Sequence, residues 1–399
     1  MATTEISWTQ RTWNPIAGCR RVSPGCGGGV KGPDGEAGGC YAETMAGRIV
    51  RMGGYEWSAL KGAWMVDPKK KQTQASRASA DRYKDLVRIN KDGQARWTGV
   101  FAFDAEKLSE PLRRKAPTMY FVNSMSDLFG EGLTNEQIAA VFGVMAACPQ
   151  HTFQILTKRA ARMAEWFKWI VGEGEELESA VGTSPPATSS ATGSACVSYA
   201  GEEVLGARGS ANAYSRAPWP LPNVWLGISA ERQEEADERI PLLLQCPAAV
   251  RWVSAEPLLG PVDFRMVGSN GQRAYDALTG HHRHDDGTPI GDGAGPRLDW
   301  IVWGGESGHD ARPCEVEWIR YGMRKCRDTG VPAFVKQVGG MPTICGVPVT
   351  FNHETAEWSK GRMADKKGAD MAEWPEDLRV REWPGGFVPP KSKALPVLP

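Results

Sequence analysis

The sequence predicts an α/β fold on a parallel sheet, a partial or full (β/α) barrel with two inserted loops. Three observations carry this. Short apolar runs recur along the chain, each run ends in polar residues, and most are followed by amphipathic stretches of helical length. Such alternation means parallel strands joined by right-handed crossovers. A doubly wound open sheet satisfies the same pattern, and the pattern alone does not separate the two. At 399 residues the chain suffices for one large barrel with insertions or for two ordinary domains.

In chain order, residues 13–43 form a cysteine-bearing loop that runs into a helix over 41–51. Apolar runs then fall at 100–103, 119–122, 152–156, 224–228, 250–253, 300–303 and 333–335. Helical stretches fall at 135–147, 159–171, 230–245 and 315–329. With one more strand near the N-terminus, this gives about six to eight strand–helix units. Residues 172–222, rich in Gly, Ser, Ala, Thr and Pro, read as a flexible insertion. Residues 268–297 read as a second one, a solvated loop carrying His281, His282, His284, Asp285 and Asp286, with metal binding as the alternative. The barrel is thus expected over 1–340. Residues 341–399 form a polar C-terminal extension with a fraying, Pro-rich end.

Lys and Arg number 47 and Asp and Glu 47, so net charge is zero and any nucleic-acid contact must come from a local patch. The most basic stretch is 69–96, with nine Lys/Arg against three Asp. It reads as a solvated helical face, with phosphate binding as the alternative. Arg113-Arg114-Lys115 adds a second short run. Sixteen tryptophans serve chiefly as packing residues, though aromatic faces also stack bases. Nine cysteines, an odd number and mostly scattered, point to a reducing compartment. No apolar run reaches the length of a membrane span, about 18 residues, and no cleavable leader is evident. The expectation is a cytoplasmic protein with no membrane partner.

Three cysteines stand together, Cys19, Cys26 and Cys40, with six and thirteen residues between them. Away from an oxidising compartment, such a glycine-rich trio suits a metal better than a disulfide framework. Three thiolates hold three irons of a [4Fe–4S] cubane and leave the fourth open to a substrate. A zinc site completed by a distant His or Asp, or three unpaired cysteines, is the alternative. Cys40 is expected at a helix N-terminus, where the dipole favours thiolate.

In barrel enzymes the chemistry gathers where strands end. Here those ends read Asn123-Ser124-Met125-Ser126-Asp127, Thr157-Lys158-Arg159, Ser229-Ala230-Glu231, Ser254-Ala255-Glu256, Gly304-Gly305-Glu306-Ser307-Gly308 and Lys336-Gln337. Helix capping accounts equally well for Ser124, Asp127, Ser229 and Ser307. It does not account for Lys158, Glu256, Glu306 and Lys336 recurring at one structural level, which suggests a charged mouth. Gly304 and Gly305 let backbone approach a ligand, and the Glu306 carboxylate suits the ammonium of an amino-acid-like cosubstrate. Lys158, Arg159 and Lys336 suit a carboxylate or phosphate, or pair with Glu231, Glu256 and Glu306.

With these residues laid out, the chain resembles a phage- and mobile-element-associated family of largely unassigned function, related to the radical S-adenosylmethionine enzymes. The matching stretches begin with Trp8-Thr9, Thr12-Trp13-Asn14-Pro15, Gly18-Cys19, Val22-Ser23-Pro24-Gly25-Cys26 and Cys40-Tyr41-Ala42-Glu43. Phe121 to Phe129, Leu156 to Arg159, Asn223 to Gly227, Glu256 to Pro261, Gly304 to Gly308, Ala311-Arg312-Pro313 and Phe334 to Gln337 follow in order. The sequence departs from that pattern in its cysteine spacing. The family usually has two residues where thirteen separate Cys26 from Cys40. Loop-closure cost grows only logarithmically with length, so glycines can close the longer loop cheaply.

The resemblance implies a barrel of the radical S-adenosylmethionine type, with Cys19, Cys26 and Cys40 holding a [4Fe–4S] cluster that chelates S-adenosylmethionine. It implies reductive cleavage to a 5′-deoxyadenosyl radical, which takes a substrate hydrogen, and an external flavodoxin- or ferredoxin-like electron donor. Cofactor contacts are expected from Asn123, Ser124, Asp127, Ser229, Gly304, Gly305, Glu306 and Ser307, and catalytic roles from Lys158, Glu256 and Lys336. The expected substrate is DNA or a nucleotide, modified or rearranged as in thymine hypermodification of phage DNA, in a bacterial or phage-infected host cell. A small-molecule or protein substrate is the alternative, and a non-catalytic metal-stabilised binding protein a third.

Overall fold

A computed structural model describes residues 4, 6–27, 40–181, 218–284, 286–291, 293–308 and 311–390, the side chains of 173–181 excepted. The chain divides into two compact units. The first contains Thr9–Ile155 and Lys168–Asn223, and the second Glu5–Trp8, Leu156–Phe167 and Val224–Pro399.

The first unit opens with strand β1 (Arg11–Trp13), followed after the cysteine loop by α1 (Tyr41–Met52). Next come the hairpin β2 (Tyr55–Ser58) and β3 (Ala63–Val66), helix α2 (Gln74–Asp81), and the hairpin β4 (Val87–Ile89) and β5 (Ala95–Trp97). These pack around a core of their own that includes Val50, Tyr55, Trp64, Ala80, Leu86 and Trp97. Strand β6 (Met119–Val122) pairs in parallel with β1, Trp13 opposite Val122. Helix α3 (Asn135–Ala146) starts at Thr134, whose side chain takes the Gln137 N–H in a capping box. It is buried without a break from Ile138 to Met145, as a helix apolar on all sides should be. Strand β7 (Thr152–Thr157) pairs in parallel with β6, and α4 (Ala160–Val181) follows.

The second unit carries β8 (Val224–Ser229), α5 (Gln233–Gln245) and β9 (Val250–Ala255). A small antiparallel sheet follows, β10 (Arg273–Asp276), β11 (His281–His284) and β12 (Pro289–Ile290). Then come β13 (Trp300–Gly304), α6 (Val316–Thr329), β14 (Ala333–Gln337), β15 (Pro342–Ile344), β16 (Val347–Asn352) and β17 (Glu357–Lys360). Strands β8 and β13 are buried throughout, as strands covered on both faces are. The helix α6 stops at Gly330, which takes the left-handed conformation (φ 70°) that favours glycine there. Gly227 must lack a side chain, because a Cβ would lie 2.3 Å from the Trp252 ring.

The main sheet has the strand order β1-β6-β7-β8-β9-β13-β14. Order in the sheet follows order in the chain, without the reversal that marks a doubly wound fold. This seven-stranded parallel sheet is compatible with a partial (β/α) barrel, so the topology decides what periodicity left open.

Six of the seven apolar runs fall in this sheet. The run at 100–103 does not, since only Ala102–Phe103 is a strand and it pairs antiparallel with Ile16–Ala17. Residues 268–297 are also not merely a solvated loop. Buried Asp276 accepts from Arg265 Nε (2.9 Å), Arg283 Nε (2.6 Å) and the Leu278 N–H (3.1 Å), which anchors β10 and β11. The extension beyond 340 is built into the second unit through residue 390, and the Pro-rich end expected to fray, 391–399, lies outside the described residues. Trp383 stacks on Trp300 (5.2 Å, 20°), and Glu382 takes the N–H groups of Trp300 and Ala333. Most of the expected insertion at 172–222, Asp285, and residues 28–39 of the cysteine loop lie outside the described residues.

Candidate functional site

In the first unit, the segment leading to Cys19 is stitched to the end of β6. The Asn123 N–H donates to Trp13 O (2.8 Å), Ser124 Oγ to Asn14 Oδ1 (3.1 Å), and Ser126 Oγ to Ile16 O (3.0 Å). Gly18 then forms a parallel bridge with Ser126. Ser124 is therefore spent on Asn14, and Asp127 accepts the Phe129 N–H (3.0 Å) in a local turn. Asn123 differs. Its backbone is left-handed (φ 59°), it is 3% exposed, and its Oδ1 and Nδ2 find no partner among the described residues. A left-handed Asn costs about 1–2 kcal/mol and a buried unpaired amide about 1–3 kcal/mol. Strained residues cluster at functional sites, which makes Asn123 a candidate position.

The cysteine loop has its own anchor. Cys40 caps α1, and its N–H donates to Glu43 Oε2 (3.3 Å). Glu43 is 1% exposed and also receives the Trp97 N–H (3.1 Å) and the Arg21 guanidinium (2.6 Å), with Arg96 at 3.8 Å. Arg21 also lies near Cys40 and Cys26, so these groups share one neighbourhood. Burial pushes the Cys40 thiol up, and the Glu43 and Cys26 charges add to this against hydrogen bonds from backbone N–H groups. The expected thiolate preference at the helix start is thus outweighed by burial.

The three thiols suit an iron–sulfur cluster in donor type, since all are half-buried and none is in a disulfide. In position they do not form a finished site. Among the described residues no three His, Cys, Asp or Glu side chains converge to hold a metal ion. The thirteen residues between Cys26 and Cys40 include 28–39, outside the described part.

In the second unit the polar strand ends do come together, as ion pairs. Lys158 Nζ bonds Glu231 Oε1, while Arg239 Nη1 reaches Glu231 Oε2 (3.0 Å) and Ser229 O (2.8 Å). Glu256 Oε1 accepts from Lys336 Nζ (2.5 Å) and Gln337 Nε2 (3.1 Å). Glu306 is gripped by Arg312 through Nε (2.7 Å), Nη2 (3.1 Å) and the backbone N–H (2.9 Å). Pairing, rather than open charge, is what the sequence alternatives become. Lys158, Lys336 and Glu256 keep 19%, 21% and 15% side-chain exposure, enough to exchange partners with a ligand. Ser229 and Ser254 sit opposite each other on β8 and β9, both buried. Ser307 is exposed.

The two glycines have a protein reason. A Cβ on Gly305 would meet Val338 O at 2.4 Å, and one on Gly304 would meet the Glu256 side chain at 3.3 Å. They admit neighbouring chain, which is reason enough for glycine at both positions. A cavity of about 400 Å³ lined by Cys326, Arg327, Ala333 and Trp383 opens where β14 begins. The charged groups sit at the opposite strand ends, where chemistry is expected, so this cavity is not assigned to the site.

Residues 3–373 match the family described as protein of unknown function, DUF5131. The chain belongs to that family. No curated protein and no solved structure matches it. Among the described residues of this DUF5131 chain, no helix is long and apolar enough to cross a membrane.

Sequence reasoning assigned no role to Glu43, Arg21, Asn14, Arg239 or Arg312. Glu43 carried a signal, since a carboxylate three residues after a capping position is the capping-box spacing. Arg21 and Arg239 had none, because their partners come from tertiary packing.

Proposed function

We propose that this chain is a radical S-adenosylmethionine enzyme, using a [4Fe–4S] cluster on Cys19, Cys26 and Cys40 and acting on a nucleic-acid base. The reaction class is base modification or rearrangement of the phage thymine type, in a bacterial or phage-infected cytoplasm, with a flavodoxin- or ferredoxin-like donor. The observation that carries the reading is Asn123. A strained, buried amide with both hydrogen-bonding atoms unspent sits beside the segment that delivers Cys19. Such an arrangement suits a polar cosubstrate, whose donors and acceptors would pair with the amide.

The chain's own residues supply binding, orientation and charge. Glu43 fixes the Cys40 end of the loop, and Asn14 fixes the Ser124–Met125 turn beside Asn123. Lys158, Glu256 and Lys336 offer charges that are paired at rest and partly exposed, a state suited to taking a carboxylate or ammonium without leaving a bare ion.

Anaerobic reconstitution with iron and sulfide tests the cluster. Wild type is expected brown, with about four irons per chain. A Cys19→Ala, Cys26→Ala, Cys40→Ala triple variant is expected colourless. A colourless wild type holding zinc would overturn the reading in favour of a metal-stabilised binding protein.

A further inference from the structure

We infer that the β2–β3 hairpin is a wedge for double-stranded nucleic acid, with Leu60 entering the base stack and Lys61, Lys69 and Lys71 holding flanking phosphates. The inference rests on the nucleic-acid substrate of the reading above and names how that substrate is gripped.

The hairpin is firmly anchored at its base. Tyr55 pairs with Val66 and Trp57 with Trp64, whose rings meet edge to face at 5.5 Å. Tyr55 and Trp64 are buried in the unit's core, and Trp64 Nε1 donates to Val87 O (2.6 Å). The far end is the opposite. Leu60 is 97% exposed, while Gly62 supplies the left-handed residue of the turn (φ 59°). Nothing in the turn calls for a leucine. Met52, Met65 and Val66 extend apolar surface toward the base, at 74%, 39% and 49% exposure.

Lys61 adjoins Leu60 in the turn, and Lys69 and Lys71 follow Asp67, whose N–H donates to Gly54 O at the hairpin's base (2.9 Å). Residues 41–98 carry twelve Lys/Arg against six Asp/Glu, in a chain that is neutral overall. Lys70 pairs with Glu56 (3.1 Å), but Lys61, Lys69 and Lys71 are exposed and pair with no described carboxylate. An apolar side chain at the end of a stiff ribbon, with one cation beside it and others at the ribbon's base, is how minor-groove proteins part base steps while neutralising the backbone. A membrane surface asks instead for a continuous apolar face about 5–10 Å deep.

The test uses full-length protein and a short fluorescein-labelled duplex, followed by anisotropy between about 50 and 200 mM salt. A second duplex carries 2-aminopurine at a central T·A step, so that unstacking raises fluorescence. Wild type is expected to bind with steep salt dependence and to raise the 2-aminopurine signal. The triple variant Lys61→Ala, Lys69→Ala, Lys71→Ala should bind about tenfold more weakly or worse, with a log–log salt slope shallower by about 2.7. Leu60→Ala should stay within about threefold in affinity yet lose the unstacking signal, and Leu60→Phe should keep it.

Substitution at so exposed a position leaves the fold intact, which circular dichroism checks. Affinity and slope untouched by the lysine changes would overturn the inference. So would an absent unstacking signal in wild type, or preference for phosphatidylserine vesicles over the duplex. Because the assay involves no turnover, its failure is separate from failure of the iron and sulfide count.

Discussion

Glu231→Gln removes the negative charge at the centre of the Lys158–Glu231–Arg239 set. The carboxylate is fully buried and Arg239 is 3% exposed, whereas Lys158 keeps 19% exposure and recovers some hydration. Removing one member of a buried ion pair costs about 3–5 kcal/mol. The glutamine still offers one acceptor, which places the expected loss near the lower end, about 3 kcal/mol. With a urea slope of about 2 kcal/mol/M, the unfolding midpoint of the second unit should fall by about 1.5 M.

The pH dependence adds a sign. Burial pushes the Glu231 carboxyl up, but the Lys158 and Arg239 charges outweigh it and hold the group below its ordinary value of 4.5. A folded-state value held down gives stability that is complete above the unfolded value and lost as pH falls through the folded one. Wild type should therefore exceed the variant by the full margin at neutral pH, and the two should converge on acidification below 4.5. Tryptophan fluorescence during urea titration at several pH values measures both. A neutral-pH gap under about 1 kcal/mol, the range of surface pairs, would refute the reasoning. So would a gap that persists in acid.

Asn123→Gly should stabilise the chain by about 1–2 kcal/mol, since glycine adopts φ 59° freely and removes an unpaired amide. A thermal melt reads it, and a lower midpoint would show that the amide is already satisfied. Cys40 should alkylate slowly in metal-free protein and accelerate only above the usual thiol range, because its folded value is raised and the thiol stays protonated. Peptide mapping after iodoacetamide at a series of pH values measures this, and fast labelling near neutrality would contradict it. Gly227→Ala drives a methyl against the Trp252 ring and should cost about 3 kcal/mol. An unchanged midpoint would mean that Trp252 has room to move.

The strands were legible because burial on both faces leaves uninterrupted apolar runs, as at 119–122 and 300–303, and polar residues mark where each ends. Their order was not, since periodicity carries no information on which strand lies beside which. The antiparallel sheet of 268–297 was hidden because its organising group, Asp276, is charged, and only its burial against Arg265 and Arg283 reveals the role. At the site, residue types at the strand ends were readable, but not their partners. For Lys158 and Lys336 the sequence left two readings open, ligand binding or pairing with Glu231, Glu256 or Glu306, and tertiary packing brings each to a carboxylate, while Glu306 takes Arg312, which sequence did not suggest. Asn123 is the reverse case. In sequence it was one of several polar strand-end residues expected to contact a cofactor, and only its left-handed backbone and its amide, unpartnered among the described residues, single it out.

The central claim is best tested by 5′-deoxyadenosine formation from S-adenosylmethionine under dithionite, in reconstituted wild type and in Asn123→Ala. The account predicts product from wild type. It predicts at least about tenfold less from the variant, the equivalent of about 1.4 kcal/mol, at equal iron content. Iron-loaded wild type that forms no 5′-deoxyadenosine would contradict the account, as would a variant that forms it just as fast.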